Sequence, residues 1–360
     1  MSDFESQPLL SLLAGHAQLQ RSDLLPVLQE TQKLYGYIPE NAAVEIGRAL
    51  GVPLADLSGV IDFYSMLYRT PVGDQIIRVC TDPACAIAGG EAVLTGICQR
   101  AGTSPGEPSP DGRYTIERST CLGLCQHAPA VLIGSDRTIQ VDPLDIDPVF
   151  GKREELPQDK VSGDLDILTA NCRSGAVTGI ESYLTSGGYR AYMKALSLSP
   201  GEIINMIKSS GLLGRGGAAF PTGEKWQSCA DTGAERKYVV CNADESEPGT
   251  FKDRILMERD PHRVIEGTLI AARAIGASLG YIYIRGEYPS ALRSIEAALH
   301  DARQEGYLGT NVLNSGFDIE LEIRTGAGAY ICGEETALFE SIEGHRGMPR
   351  IKPPFPTTYG

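Results

Sequence analysis

No stretch of 18 residues in this sequence is uninterruptedly apolar; the nearest, Val264 to Ile284, carries Glu266 and Arg273. A transmembrane helix is therefore excluded, and with it direct membrane insertion. Positive charge is also short. Against 46 acidic residues stand 32 basic ones, for a net charge of −14 and a pI of about 4.9. Such a surface repels phosphate backbones and argues against nucleic acid as a partner. The first six residues, Met-Ser-Asp-Phe-Glu-Ser, are acidic and read as neither a secretory signal nor a transit peptide. Internal repeats and low-complexity tracts are lacking. Charged residues at 22% and AVILMFWYC at 42% give an ordinary globular mix. A length of 360 residues suggests two or three domains.

What is abundant is glycine, 41 residues, or about 11% where about 7% is usual. That excess predicts several places where the backbone approaches a ligand closely. Nine cysteines are an odd number, in a chain read as cytoplasmic. Reduced thiols that cluster there point to metal or redox chemistry rather than to disulfides.

Residues 9–70 read as helices. Ser22 is placed to cap the stripe Leu24, Leu25, Leu28 and Thr31, Pro39 and Pro53 punctuate the run, and Gly51 is a stop signal. The period then changes. Gln75 to Cys80 is strand-like, Glu91 to Arg100 helical, Arg113 to Arg118 alternating, and Ala130 to Gly134 a short apolar run. Residues 142–166 are rich in Asp, Glu, Pro and Lys and read as a linker. Beyond them come a helix at Pro200 to Ser210, a strand at Lys237 to Cys241, and a helix at Pro261 to Ile275. A strand at Leu279 to Arg285, a helix at Pro289 to Glu305 and an alternating strand at Phe317 to Arg324 follow. This alternation predicts a parallel or mixed sheet covered by helices, an α/β fold.

Four residues separate Cys80 from Cys85 and three separate Cys121 from Cys125, and each pair follows an expected strand. The two loops fall at one end of a small sheet, and four thiolates there suit zinc or an iron–sulfur cluster. Two separated pairs supply the two thiolates that each iron of a [2Fe–2S] cluster needs. The alternative, four unrelated buried cysteines, fits Cys98, Cys172, Cys229, Cys241 and Cys332 better. No C-x-x-C is present, which argues against thiol–disulfide exchange. His127 follows Cys125 closely and could be a ligand, but is expected to pack or hydrogen-bond beside the site, since the quartet already completes the coordination; it is left unassigned.

Gly214-Arg-Gly-Gly-Ala-Ala-Phe-Pro-Thr-Gly-Glu-Lys-Trp226 follows a helix rather than a strand, so it is not the G-x-G-x-x-G dinucleotide turn. Nor is it a Walker A loop, because no Ser or Thr follows Lys225. Its glycines still let N–H groups converge on an anion, with Arg215 and Lys225 adding charge. Alone it could be a mere turn. Two later segments add weight: Cys241-Asn-Ala-Asp-Glu-Ser-Glu-Pro-Gly-Thr250 at a strand end, and Gly326-Ala-Gly-Ala-Tyr-Ile-Cys-Gly-Glu-Glu335. Three such loops on one sheet edge predict a nucleotide-like pocket; solvated acidic loops are the alternative.

On these motifs the sequence resembles the NADH-oxidising module of complex I and its relatives, with two subunits joined in one chain. Such fusions occur as diaphorase subunits of NAD-reducing hydrogenases and as beta subunits of formate dehydrogenases. The resemblance implies a helical bundle at 9–72, a thioredoxin-like [2Fe–2S] domain at 73–142, a linker at 143–175 and a Rossmann-like FMN-binding α/β domain at 176–360. It implies that Cys80, Cys85, Cys121 and Cys125 hold [2Fe–2S]. It places Gly214, Arg215, Gly216, Gly217, Ala218 and Lys225 on an FMN-holding loop, with Lys225 near the phosphate. Asn242, Asp244, Glu245 and Ser246 match the next flavin-binding strand end, and Tyr330, Gly333, Glu334 and Glu335 the turn that closes over the flavin. Phe220, Trp226, Glu247, Glu335, Lys352 and Phe355 match NADH contacts. Ala219 departs from the family's usual glycine.

The implied activity is that of an NADH dehydrogenase, passing a hydride from NADH to FMN and electrons onward to other iron–sulfur subunits of a multi-subunit complex. No catalytic acid or base is required. A non-catalytic scaffold and a zinc-stabilised nucleotide-binding regulator are the competing readings. The family continues past KPPFP into further flavin contacts and a four-cysteine [4Fe–4S] domain, whose cysteines this sequence lacks. It is expected to be C-terminally truncated.

Overall fold

A computed structural model describes residues 5–357 apart from 17, 136, 152–158, 166 and 174. Four helices open the chain: α1 (Ser6–Ala14), α2 (Leu24–Tyr35), α3 (Glu40–Leu50) and α4 (Leu54–Phe63). Gly36 and Gly51, both left-handed, end α2 and α3 as helix-stopping residues do. Ser22 is not a cap. It lies inside a single 3₁₀ turn, Arg21–Asp23, where the Asp23 carboxylate accepts the Gln20 N–H (2.9 Å), and α2 starts only at Leu24.

A four-stranded sheet follows, built from β1 (Gln75–Cys80), β2 (Tyr114–Ser119), β3 (Ala130–Ile133) and β4 (Arg137–Gln140) in the order β2-β1-β3-β4. β1 runs parallel to β2, with Cys80 opposite Ser119, and antiparallel to β3. The helices α5 (Pro83–Ile87) and α6 (Gly90–Ala101) connect β1 to β2. Val93, Leu94 and Ile97 of α6 pack on Ile77, Val79 and Ile116. The expected linker starts later than composition suggests. Val149 is buried in this same core, Ile146 packs against it, and the Phe150 ring meets Tyr114 edge-on at 5.2 Å. Three apolar residues in and beside one short turn, Asp147–Phe150, suffice to anchor it. Part of the same expected linker, residues 152–158, 166 and 174, lies outside the described residues.

The second sheet is parallel throughout: β5 (Tyr238–Ala243), β6 (Leu279–Ile284) and β7 (Glu320–Thr325) in sequential order. Its crossovers are the expected helices Pro261–Ile275 and Pro289–Gln304. On the central strand Ile282 and Ile284 are fully enclosed, each burial contributing about 1.5–3 kcal/mol. Because the strands are parallel, their C-terminal ends share one edge, where open α/β sheets bind ligands.

The helical bundle buries its apolar side against this second sheet. One continuous core contains Leu24, Leu28, Ile46, Leu57, Val60 and Tyr64 from the bundle together with Tyr283, Ala327, Cys332 and Leu338. Polar contacts seal the seam: Gln29 Nε2 donates to the carbonyls of Thr325 (3.1 Å) and Gly326 (3.2 Å), Met66 N–H to Ala327 O (2.9 Å), and Ser65 Oγ to Gly328 O (2.7 Å).

Candidate functional site

Two sites lie side by side. The first gathers the cysteine quartet at the ends of β1 and β2. Cys80 closes β1, Cys85 sits on α5, and Cys121 and Cys125 flank the turn after β2. The parallel pairing of β1 with β2 brings the two turns next to each other. Cys80, Cys85 and Cys121 are 1% exposed, lined by Leu122, Leu124, Ala130 and Leu132. Cys121 Sγ and Cys125 Sγ lie 3.3 Å apart, and the Gly123 N–H points at Cys121 Sγ (3.3 Å). A hydrogen bond from Cys80 holds the Cys85 thiol below its ordinary pKa, whereas burial and then Cys121 push Cys125 up to about 11. Crowded thiols cannot all ionise without a cation among them.

The quartet supplies two thiols from each of two adjoining turns, and the two thiolates that each iron of a [2Fe–2S] cluster needs can be drawn from it. His127 Nε2 meets Asp159 Oδ1 at 2.8 Å.

The second site lies at the C-terminal edge of β5 and β7. The glycine-rich loop 214–221 runs from helix Pro200–Ser210 into helix Thr222–Asp231. Residues 214–220 are exposed, and a Cβ added at Gly216 or Gly217 would meet nothing within 4 Å. Three contacts join the loops: Lys225 Nζ to Glu335 Oε2 (2.8 Å), Asn242 Nδ2 to Gly333 O (2.8 Å), and Tyr330 OH to Glu247 Oε2 (2.5 Å). Lys352 bridges Glu334 (2.7 Å) and Glu335 (2.8 Å). Burial works to raise the Glu334 carboxyl, but Lys352, the Thr336 hydroxyl and the amides of Thr336 and Ala337 outweigh it and hold it at about 2. Asp244 goes the other way. Burial lifts it to about 6, only partly offset by Ser246, whose hydroxyl donates to it (2.6 Å).

Phe220, Tyr330 and Phe355 show more than half of their surface at this edge. Trp226 is half-buried against Ile203, Ile204 and Ile270, so less of its ring is free. Ala219 has φ +53, a left-handed conformation that costs a residue with a Cβ about 1 kcal/mol. This explains why glycine would suit the position. Glu245, matched to the same strand end, is 6% exposed. Its carboxylate accepts the N–H groups of Asp253 (2.9 Å) and Arg254 (3.0 Å) and so anchors helix Lys252–Arg259.

Sequence reasoning missed what lies between the two sites. Arg285, 3% exposed, donates to Glu245 O (2.8 Å) and Cys121 O (2.6 Å) and pairs with Glu287 (3.0 Å). Arg254 reaches Gly123 O (3.0 Å). Tyr288 OH fills the space that a Cβ at Gly123, φ +67, would occupy. Lone charged residues after a strand carry no signal that a separate domain will receive them.

Both sites have counterparts in known families. Residues 11–153 match the family model of the thioredoxin-like [2Fe–2S] ferredoxin, and residues 207–360 that of the Nuo51 FMN-binding domain. This chain is a fusion of those two families. The ferredoxin-like part carries the quartet, and the FMN-binding part carries the three loops. An NADH-quinone oxidoreductase subunit of Aquifex aeolicus is 53% identical over 205 residues, covering 57% of this chain and 48% of that protein. The NAD-reducing hydrogenase HoxS subunit alpha of Cupriavidus necator is 37% identical over 351 residues, covering 94% of this chain and 58% of its own length. A crystal structure of an NAD⁺-reducing [NiFe]-hydrogenase in the H₂-reduced state superposes with a TM-score of 0.78 at 31% identity, covering 95% of this chain and 58% of that one. The chain thus spans about half the length of the curated relatives it matches. Among the described residues no helix is long and apolar enough to cross a membrane.

Proposed function

We propose that this chain is the NADH-oxidising module of a multi-subunit redox complex, cytoplasmic, with further iron–sulfur subunits as partners. The observation that carries it is the pairing of an open glycine-rich cradle at a parallel sheet edge with a two-by-two thiol site packed directly against the same domain. Gly214, Arg215, Gly216, Gly217, Ala218 and Lys225 would hold FMN, with Asn242, Asp244 and Ser246 along one side and Tyr330, Gly333 and Glu334 closing the other. FMN, when bound, accepts a hydride from NADH and releases electrons singly to the iron–sulfur centre. The protein's own part is position and charge. Phe220 and Phe355 offer faces for the bases of NADH, Trp226 one edge, and Glu247, Glu335 and Lys352 polar contacts for its ribose and amide groups. The carboxylates are acceptors here, and no side chain moves a proton.

The full chain purified anaerobically is expected to carry FMN and two irons, to lose its flavin absorbance on adding NADH, and to reduce ferricyanide. A colourless protein with one zinc per chain would overturn this reading in favour of a regulator. Cofactor-loaded protein inert to NADH would leave a scaffold.

A further inference from the structure

The turn between Cys121 and Cys125 is gripped by the FMN-binding domain. The backbone N–H of Gly249 donates to Cys125 Sγ at 3.1 Å. Arg254 donates to the carbonyl of Gly123 (3.0 Å) and Arg285 to that of Cys121 (2.6 Å). Both guanidinium side chains are at least 95% buried. By contrast Asp82, from the thiol domain itself, faces the same turn with negative charge, accepting the Cys121 N–H at 2.7 Å. Cys121 Sγ thus receives an amide of its own turn, Gly123 N–H, whereas the amide at Cys125 and the two cations come from the neighbouring domain.

We propose that the FMN-binding domain sets the reduction potential of the cluster held by Cys80, Cys85, Cys121 and Cys125, with Gly249, Arg254 and Arg285 as positioning residues. The proposal rests on the [2Fe–2S] reading above. Reduction adds one electron, and so one unit of negative charge, to a site that already holds four thiolates. An N–H aimed at a ligand sulfur stabilises the more negative state, and so does a buried cation one peptide away. Each raises the potential. In a low-dielectric seam such charges act far more strongly than in water. Arg254 is itself balanced by Glu258 (2.7 Å) and Asp159 (3.3 Å), so losing the cation would take an ion-pair partner from both, Asp159 keeping Arg259 (4.0 Å) and His127 (2.8 Å). Both changes push the potential down.

The test uses the full chain, with the cluster followed by EPR during a redox titration. In Arg254→Gln the ratio of reduced to oxidised cluster at a fixed potential is expected to fall about tenfold, a drop in midpoint of about 59 mV for one electron, with two irons per chain retained. Arg254→Lys should restore most of it, which a merely structural role would not. A second measurement needs no perturbed network. Protein labelled with ¹⁵N-glycine should show, by ENDOR on the reduced cluster, a nitrogen coupling that disappears in Gly249→Asn while that of Gly123 persists. Asparagine tolerates the left-handed φ of +87 there, and a Cβ meets nothing within 4 Å. An unchanged midpoint in Arg254→Gln with full iron content, or no coupling lost in Gly249→Asn, overturns the proposal. If no [2Fe–2S] signal forms even in the unaltered chain, the cluster reading fails first and takes this one with it.

Discussion

Single carboxylates at the pocket have opposite tasks, and pH separates them. Asp244 is half-buried, and desolvation lifts it to about 6 from an ordinary 3.8, so its charged form opposes folding. Its native pKa lies above the unfolded one, so the folded state binds the extra proton between about pH 4 and 6. Its contribution to stability therefore falls as pH rises through that window. Asp244→Asn should flatten this part of the stability profile and raise stability at pH 7, as urea titrations of the cofactor-free chain at several pH values would show. An unaltered profile would mean that Asp244 is solvated. Glu334 has the opposite sign: held at about 2, it adds stability above its unfolded value of 4.5 that is lost as pH falls toward 2. Glu247 concerns specificity. It is exposed, anchored by Tyr330, and would repel an added ribose phosphate. Glu247→Lys is expected to raise the kcat/KM ratio of NADPH to NADH roughly tenfold or more, one charge contact being worth about 1.4 kcal/mol or above. An unmoved ratio removes Glu247 from the discrimination.

Among the elements, the turn after β7, which we propose closes over the flavin, is held from behind. Gly328, φ +85, passes so close to Ser65 and Met66 that a Cβ there would overlap both. The helical bundle is thus the back wall of the loop that carries Tyr330 and Gly333. Gly328→Val should force the loop forward, and FMN retained through gel filtration should drop at least tenfold, read as the ratio of flavin to protein absorbance. Gly309→Val is the control: φ +110 is equally left-handed, but nothing lies within 4 Å of its Cβ and it sits at the far end of β7. Equal loss of flavin in both variants would point to general destabilisation and remove the back-wall role.

For the molecule as a whole, the shared core makes the bundle and the FMN-binding domain one cooperative unit. Leu28 is fully buried in that core, and Leu28→Ala should cost about 2–5 kcal/mol. The chain's one tryptophan, Trp226, sits in the FMN-binding domain, so its fluorescence reports unfolding at a distance from the substitution. The Trp226 transition is expected to move to lower denaturant by the full amount. If it stays put while helical signal is lost earlier, the bundle folds on its own and the common core is weaker than its packing suggests.

The long helices and six of the seven strands were legible because each follows from local pattern. Apolar period, proline at the first turn and glycine at the stop place Pro261–Ile275, Gly90–Ala101 and Glu40–Leu50 without any knowledge of neighbours. The thiol pairs and glycine-rich loops were legible for a similar reason: metal ligation and close backbone approach demand particular residue types at short spacing. What the chain's linear pattern does not contain is which surfaces meet. That the bundle would close on β6 and β7 rather than on the sheet that follows it in sequence depends on shape and on buried area summed over distant residues. The same is true of Glu245, matched to a ligand but spent on a helix N-terminus, and of Arg254, Arg285 and Gly249, unremarkable where they stand in the sequence. The seam partners of these last three lie 40 to 164 residues away, and only a folded chain brings a carbonyl or a sulfur within the roughly 3 Å at which a hydrogen bond acts.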